Sequence, residues 1–181
     1  MSMPGDLSRR EVLKITAGAV VASQVAAITP AFADAPALRF FTAQEFSLVD
    51  ELTEILIPAD EHSPGARAAK VAVFLDGRLA EVVDEDVRTR WRDGLKRVDA
   101  LAQSMHGQSF MSLDAAGRVD VVTRMAANEA KPSTPEEQFF RELKSRTVHA
   151  YYSSEIGIHK EMEYKGNVML QEFVGTDVST A

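Results

Sequence analysis

Residues 41–58 read FTAQEFSLVDELTEILIP. Thr42 and Glu45 stand three apart at the head of this stretch. That is the capping-box spacing, in which a hydroxyl and a carboxylate satisfy backbone N–H groups left unpaired at a helix start. Phe46, Val49, Leu52 and Leu56 follow at helical spacing. Pro58 lacks a donor and ends the run. The stretch predicts an amphipathic helix with both ends written into it, and the question is whether the rest of the chain uses the same grammar.

It does. Pro58 to Gly65 is a loop with two prolines and a glycine, and from about Ala66 the spacing predicts a second helix carrying Val71, Phe74, Leu75 and Leu79. A third begins near Asp84–Asp86 and runs through Val87, Trp91, Leu95, Val98, Leu101 and Met105, with Gly107 placed to stop it. Phe110 and Leu113 fall in the next connection. Asp114 is a candidate N-cap for a helix holding Val119, Val122 and Met125, and the pattern breaks from Asn128 to Ser133. Thr134-Pro135-Glu136-Glu137 combines a cap, a proline in the first turn and acids against the helix dipole. Phe139, Phe140, Leu143 and Tyr151 follow it. Sustained two-residue alternation and hairpin turn signals are absent. The sequence reads as all-α: one bundle-like domain of five or six helices, residues 34–181, with an irregular C-terminal segment. In that segment Tyr151 to Asn167 mixes aromatics, charges and glycines. The apolar residues beyond it, including Phe173, are too short a run for a helix of their own. Such a tail either folds back on the bundle or binds something.

The first 33 residues obey a different logic. A net-basic start ends in Ser8-Arg9-Arg10-Glu11-Val12-Leu13-Lys14, an uncharged Ala/Val-rich run covers Ile15 to Ile28, and Ala31-Phe32-Ala33 supplies a small-residue cleavage site. Basic, then apolar, then A-x-A is the order of a cleaved secretory signal. The apolar run is shorter than the roughly 20 residues a transmembrane helix needs. Arg9 and Arg10, with Leu13 and Lys14, fit the twin-arginine signal, and Ala31 and Ala33 mark the expected cut. The expected destination is the periplasm, reached by a route that carries proteins already folded.

Composition narrows the function. The full chain has a formal net charge of −7, and the leader is itself slightly basic. A chain of that charge is a poor fit to nucleic acid. No cysteine occurs, which removes disulfides, thiolate metal sites, iron–sulfur ligation and a cysteine nucleophile. No G-x-G-x-x-G or P-loop segment holds a nucleotide, so no flavin or nucleotide site is expected on this chain. Glu155, His159 and Glu163 recur four apart and would share one face of a helix, and His149 would have to join them from another turn. A solvated face with local pairing accounts for them, because a metal needs three or four converging ligands. The acids Asp84, Glu85 and Asp86 sit where a helix start favours them. No set of residues assembles into an active site.

Several segments, taken in order, resemble a known family. They are Phe41-Thr42-Ala43-Gln44-Glu45, Ile57-Pro58-Ala59-Asp60, Ser63-Pro64-Gly65-Ala66, Val71-Ala72-Val73-Phe74-Leu75-Asp76, Gly94-Leu95, Phe110 with Leu113, and Phe139-Phe140 leading to Tyr151-Tyr152-Ser153-Ser154-Glu155-Ile156-Gly157. Preceded by a twin-arginine signal, this order resembles the gluconate 2-dehydrogenase subunit 3 family, the small or gamma subunit of membrane-associated sugar and polyol dehydrogenases. The resemblance implies a non-catalytic escort with no cofactor of its own. Its large partner, a flavoprotein of the glucose–methanol–choline class, would bind FAD and oxidise the substrate. A multihaem cytochrome c subunit would take the electrons where one is present, and membrane attachment would come through the complex. The escort would carry the export signal to the twin-arginine translocase for a partner that lacks one. Many members have a Tyr-Gly-Gly-Asn type segment near the C-terminus, whereas Tyr164-Lys165-Gly166-Asn167 here points to another branch and a different sugar. Tyr151, Tyr152, Ile156, Tyr164 and Phe173 are the expected partner-interface residues, since helix periodicity leaves them least accounted for. The alternative is a stand-alone periplasmic binding or metal protein without a flavoprotein partner.

Overall fold

A computed structural model describes residues 37–166, and they are helical throughout, with no strand among them. Six α-helices follow in order: α1 (Ala43–Leu56), α2 (Gly65–Ala68), α3 (Val71–Ala80), α4 (Glu85–His106), α5 (Ala115–Met125) and α6 (Pro135–Tyr152). A 3₁₀ turn (Phe110–Ser112) precedes α5, and a π-helical turn (Gly157–Glu161) follows α6. The expected all-α fold is the one observed among the described residues.

The caps form as the sequence predicts. Thr42 Oγ1 accepts from the Glu45 amide at 3.2 Å, and Glu45 Oε2 accepts from the Thr42 amide at 2.8 Å. Thr134 and Glu137 repeat this box at the start of α6, with Pro135 in its first turn. Asp84 and Asp114 cap α4 and α5, accepting from the amides of Asp86 and Gly117. Gly107 closes α4 in the left-handed region at φ 71°. Each such cap contributes about 1 kcal/mol, and together they fix where the helices begin and end.

α6 is the central helix, touching α1, α3, α4, α5 and the π turn. Its stripe of Phe140, Leu143, Thr147 and Tyr151 is buried. A chain of rings ties it to the start of the domain. Phe139 meets Trp91 edge-on at 5.4 Å between centroids, Trp91 lies 6.2 Å from Phe41, and Phe41 meets Phe40 at 5.0 Å. α4 and α6 approach closely at Gly94, where a Cβ would overlap the Phe139 ring. Glycine is required there for the packing of two helices.

Three sequence expectations are corrected. The helix foreseen from Ala66 through Leu79 is two helices, broken at Lys70, which takes φ 55° and ψ 37°. In one continuous helix Ala66 and Val71 would point about 140° apart, yet both are fully buried; the left-handed residue re-aims the second segment so that both reach the core. Phe74 is not a core residue, being 42% exposed. Nor is Val119, which is 50% exposed while Val121, Val122 and Met125 carry the buried face of α5.

One buried group has no counterpart in the sequence reading. Asp76, on α3, accepts from three consecutive backbone amides at the entrance to the domain: Arg39 at 2.7 Å, Phe40 at 3.0 Å and Phe41 at 2.8 Å. A carboxylate receiving three N–H groups holds an otherwise irregular segment against the bundle. Arg92 adds to it, donating to the Phe40 carbonyl at 2.9 Å and lying over the Phe40 ring.

Candidate partner surface

The expected signal and interface residues separate into three groups. Phe173 and the signal residues Arg9, Arg10, Leu13, Lys14, Ala31 and Ala33 lie outside the described residues. Tyr151 is a correction: it is fully buried and offers no accessible surface. Its hydroxyl shares a 2.5 Å hydrogen bond with Ser63 Oγ across the domain. The reason lies in helical phase. Tyr151 continues the stripe Phe140, Leu143, Thr147, whereas Tyr152 stands about 100° further round the helix and is 40% exposed. Tyr164 is 47% exposed, and Ile156 is half-buried against the core.

The chain winds into a tight turn after α6. Ser154 Oγ donates to the Tyr151 carbonyl at 2.6 Å and accepts from the Gly157 amide at 3.0 Å. Gly157 presses against the Tyr151 backbone so closely that a Cβ would overlap the Tyr151 carbonyl oxygen. The amide of Met162 then donates to the Gly157 carbonyl, and that of Tyr164 to the Ile158 carbonyl, each at 3.0 Å. His159 Nδ1 lies 3.4 Å from the Tyr164 carbonyl oxygen. The winding is i→i+5 rather than i→i+4, and Glu163 takes φ 48°. Glu155, His159 and Glu163 therefore do not line up on one α-helical face. Among the described residues no three His, Asp or Glu side chains are placed to share a metal ion.

This segment faces the loop after α1. Asp60 Oδ1 accepts from the amides of Ser63 at 2.6 Å and His62 at 2.8 Å, and these bonds hold its carboxyl below the ordinary range. The turn presents Ser63 to Tyr151, so one buried hydrogen bond fastens the loop to the end of α6. Between them lies an open cleft of about 700 Å³, lined by Glu61 and His62 on one side and by His159, Lys160, Glu163 and Tyr164 on the other. It is polar, with charges of both signs. The apolar groups at this end are instead Val148 and Tyr152, one turn apart on α6, with Met162 beyond them; all three are exposed. The sequence reading missed Ser63, Val148 and Met162. The spacing of Val148 and Tyr152 carried a signal for that pair, since they share a helix face outside the buried stripe.

Residues 43–168 match the gluconate 2-dehydrogenase subunit 3 family. The chain belongs to that family. No curated protein and no solved structure matches it. As a subunit 3 by family, it is an accessory component of a dehydrogenase and associates with other subunits of such an assembly. The matched span runs from the first residue of α1 past Tyr164-Lys165-Gly166-Asn167, so the family match includes the π-helical segment after α6. None of the described helices is long and apolar enough to cross a membrane.

Proposed function

We propose that this subunit 3 protein is the non-catalytic small subunit and export escort of an FAD-dependent dehydrogenase of the glucose–methanol–choline class acting on a sugar or polyol. The observation that carries the reading is the family match over residues 43–168. Two features of the chain support it. The Arg9-Arg10 leader belongs to a route that transports folded proteins, which suits a partner that must load flavin before export. The surface at the end of α6 presents Tyr152, Val148 and Met162 without a covering element among the described residues, as a subunit contact requires. The chain supplies binding and the address, while the partner supplies FAD and the oxidation. A cytochrome c subunit receives the electrons where one is present, and the complex works in the periplasm.

The test is co-purification from the periplasmic fraction with a tag at Ala181, with Arg9-Arg10 intact or changed to Lys-Lys. A yellow, FAD-containing flavoprotein recovered with the wild-type chain, and lost from the periplasm in the Lys-Lys variant, is the expected result. A colourless single protein that is exported normally in both forms would overturn the escort role and the export route together.

A further inference from the structure

α4 and α6 line a second concavity, an open groove of about 810 Å³. Although the chain carries a net charge of −7, four arginines line this groove, Arg90, Arg97, Arg141 and Arg146, against the acids Asp93 and Glu142. Both acids are already engaged. Glu142 accepts from Trp91 Nε1 at 2.8 Å and from Arg146 Nε at 3.1 Å. Asp93 pairs with Lys96 at 3.1 Å. Arg97 reaches Glu136 at 3.5 Å. Arg90 and Arg141 remain, both exposed, with no ion pair or side-chain hydrogen bond to any described residue. Two such guanidinium groups on facing helices leave ten N–H donors and two positive charges aimed at one cleft. Arginine in that setting suits planar, bidentate recognition of carboxylate.

Arg141, Ser145, Val148 and Tyr152 fall within about 60° of one another around α6, and all four are exposed. One helix face thus passes from basic wall to apolar tip, continuous with the surface already assigned to the partner. We propose that the α4–α6 groove is a docking site for an acidic segment of the dehydrogenase partner. That segment carries at least two carboxylates for Arg90 and Arg141 and an apolar residue that reaches Val148 and Tyr152. The proposal rests on the reading of this chain as a subunit bound to a flavoprotein, and it names where and by what chemistry the two meet. Charge complementarity carries it: an acidic chain has gathered in one groove two cationic groups that no described residue pairs, and a protein segment of opposite sign neutralises them.

The full chain tagged at Ala181 is co-expressed with its flavoprotein partner as wild type, as Arg90→Glu with Arg141→Glu, and as Arg78→Glu with Lys131→Glu. The third form makes the same charge change away from the groove. Recovery of flavoprotein is expected to fall about tenfold for the groove pair and less than about twofold for the control pair, with the wild-type complex loosening as salt rises. Wild-type recovery that the groove pair leaves within twofold would overturn the groove alone. Absence of flavoprotein with the wild-type chain would overturn the subunit reading and the groove with it. A second readout is independent of affinity. Because the chain has no cysteine, Ser145→Cys provides a unique thiol for a benzophenone cross-linker. The cross-linked peptide is expected to come from the flavoprotein and to be rich in Asp and Glu. A peptide from a second copy of this chain, or a partner peptide without carboxylates, would overturn the proposal.

Discussion

At the scale of single residues, Glu137 carries more structural responsibility than its position in a capping box suggests. Its carboxylate is buried and accepts from the Ser133 amide at 2.8 Å, the Asn128 side chain at 2.7 Å, the Thr134 amide at 3.1 Å and the Ser133 hydroxyl at 3.0 Å. These donors, the Ser133 amide foremost, lower its pKa from the ordinary 4.5 to about 2. A carboxyl depressed on folding stabilises the protein fully above the unfolded value, and that contribution is lost as pH falls through the folded one. Urea unfolding midpoints of the wild type should therefore hold steady above about pH 5 and decline from there towards about pH 2. Glu137→Gln should be weaker at neutral pH and lose less over that interval; equal acid sensitivity of the two proteins would show that Glu137 is not the responsible group. The Glu51 carboxyl is depressed too: its burial opposes the charged form, but hydrogen bonds from Arg118 and Arg67 outweigh that opposition.

At the scale of elements, what decides the arrangement is the hold of α3 on the entrance segment. Asp76 lies about ten turns of sequence pattern away from the amides it receives, so no local rule proposes the contact. Replacing it with Asn leaves one acceptor oxygen and no charge for three amides. Asp76→Asn should cost about 1.5–3 kcal/mol, the range for hydrogen bonds to a charged group, measurable by chemical unfolding. It should also expose the backbone near Arg39 to limited proteolysis before the helices are cut. Unchanged stability together with an uncut entrance would show that the ring contacts of Phe40 and Phe41 suffice. The break at Lys70 belongs to the same scale. Its left-handed turn is imposed by the need to bury both Ala66 and Val71, and nothing in the identity of a lysine announces it.

At the scale of the whole molecule, the two adjacent tyrosines at the end of α6 divide stability from association. Tyr151→Phe removes a buried hydroxyl and leaves Ser63 Oγ without that partner, which should cost about 1–2 kcal/mol of stability and leave flavoprotein recovery unchanged. Tyr152→Ala should leave the unfolding midpoint nearly unchanged and lower recovery of the partner. A variant pair that behaves alike in both assays would remove Tyr152 from the partner surface. The same division governs charge. The Arg67, Glu51 and Arg118 network ties α1 to α2 and α5 through paired groups, whereas Arg90 and Arg141 have no such partner among the described residues and line the α4–α6 groove.

The helix starts and stops at Thr42, Asp84, Gly107, Asp114 and Thr134 were legible because each depends on groups within about four residues of one another, an interaction that composition and spacing encode directly. The family, too, followed from the order of short segments along the chain. Which tyrosine of the pair is core was partly legible, since Tyr151 keeps the phase of Phe140, Leu143 and Thr147. The role of Asp76, the exposure of Phe74, the bond from Ser63 to Tyr151 and the gathering of four arginines between α4 and α6 were not. Each depends on residues brought together from distant parts of the chain. Those distances are closed by burial of the core, and only the folded chain specifies which side chains meet when it closes.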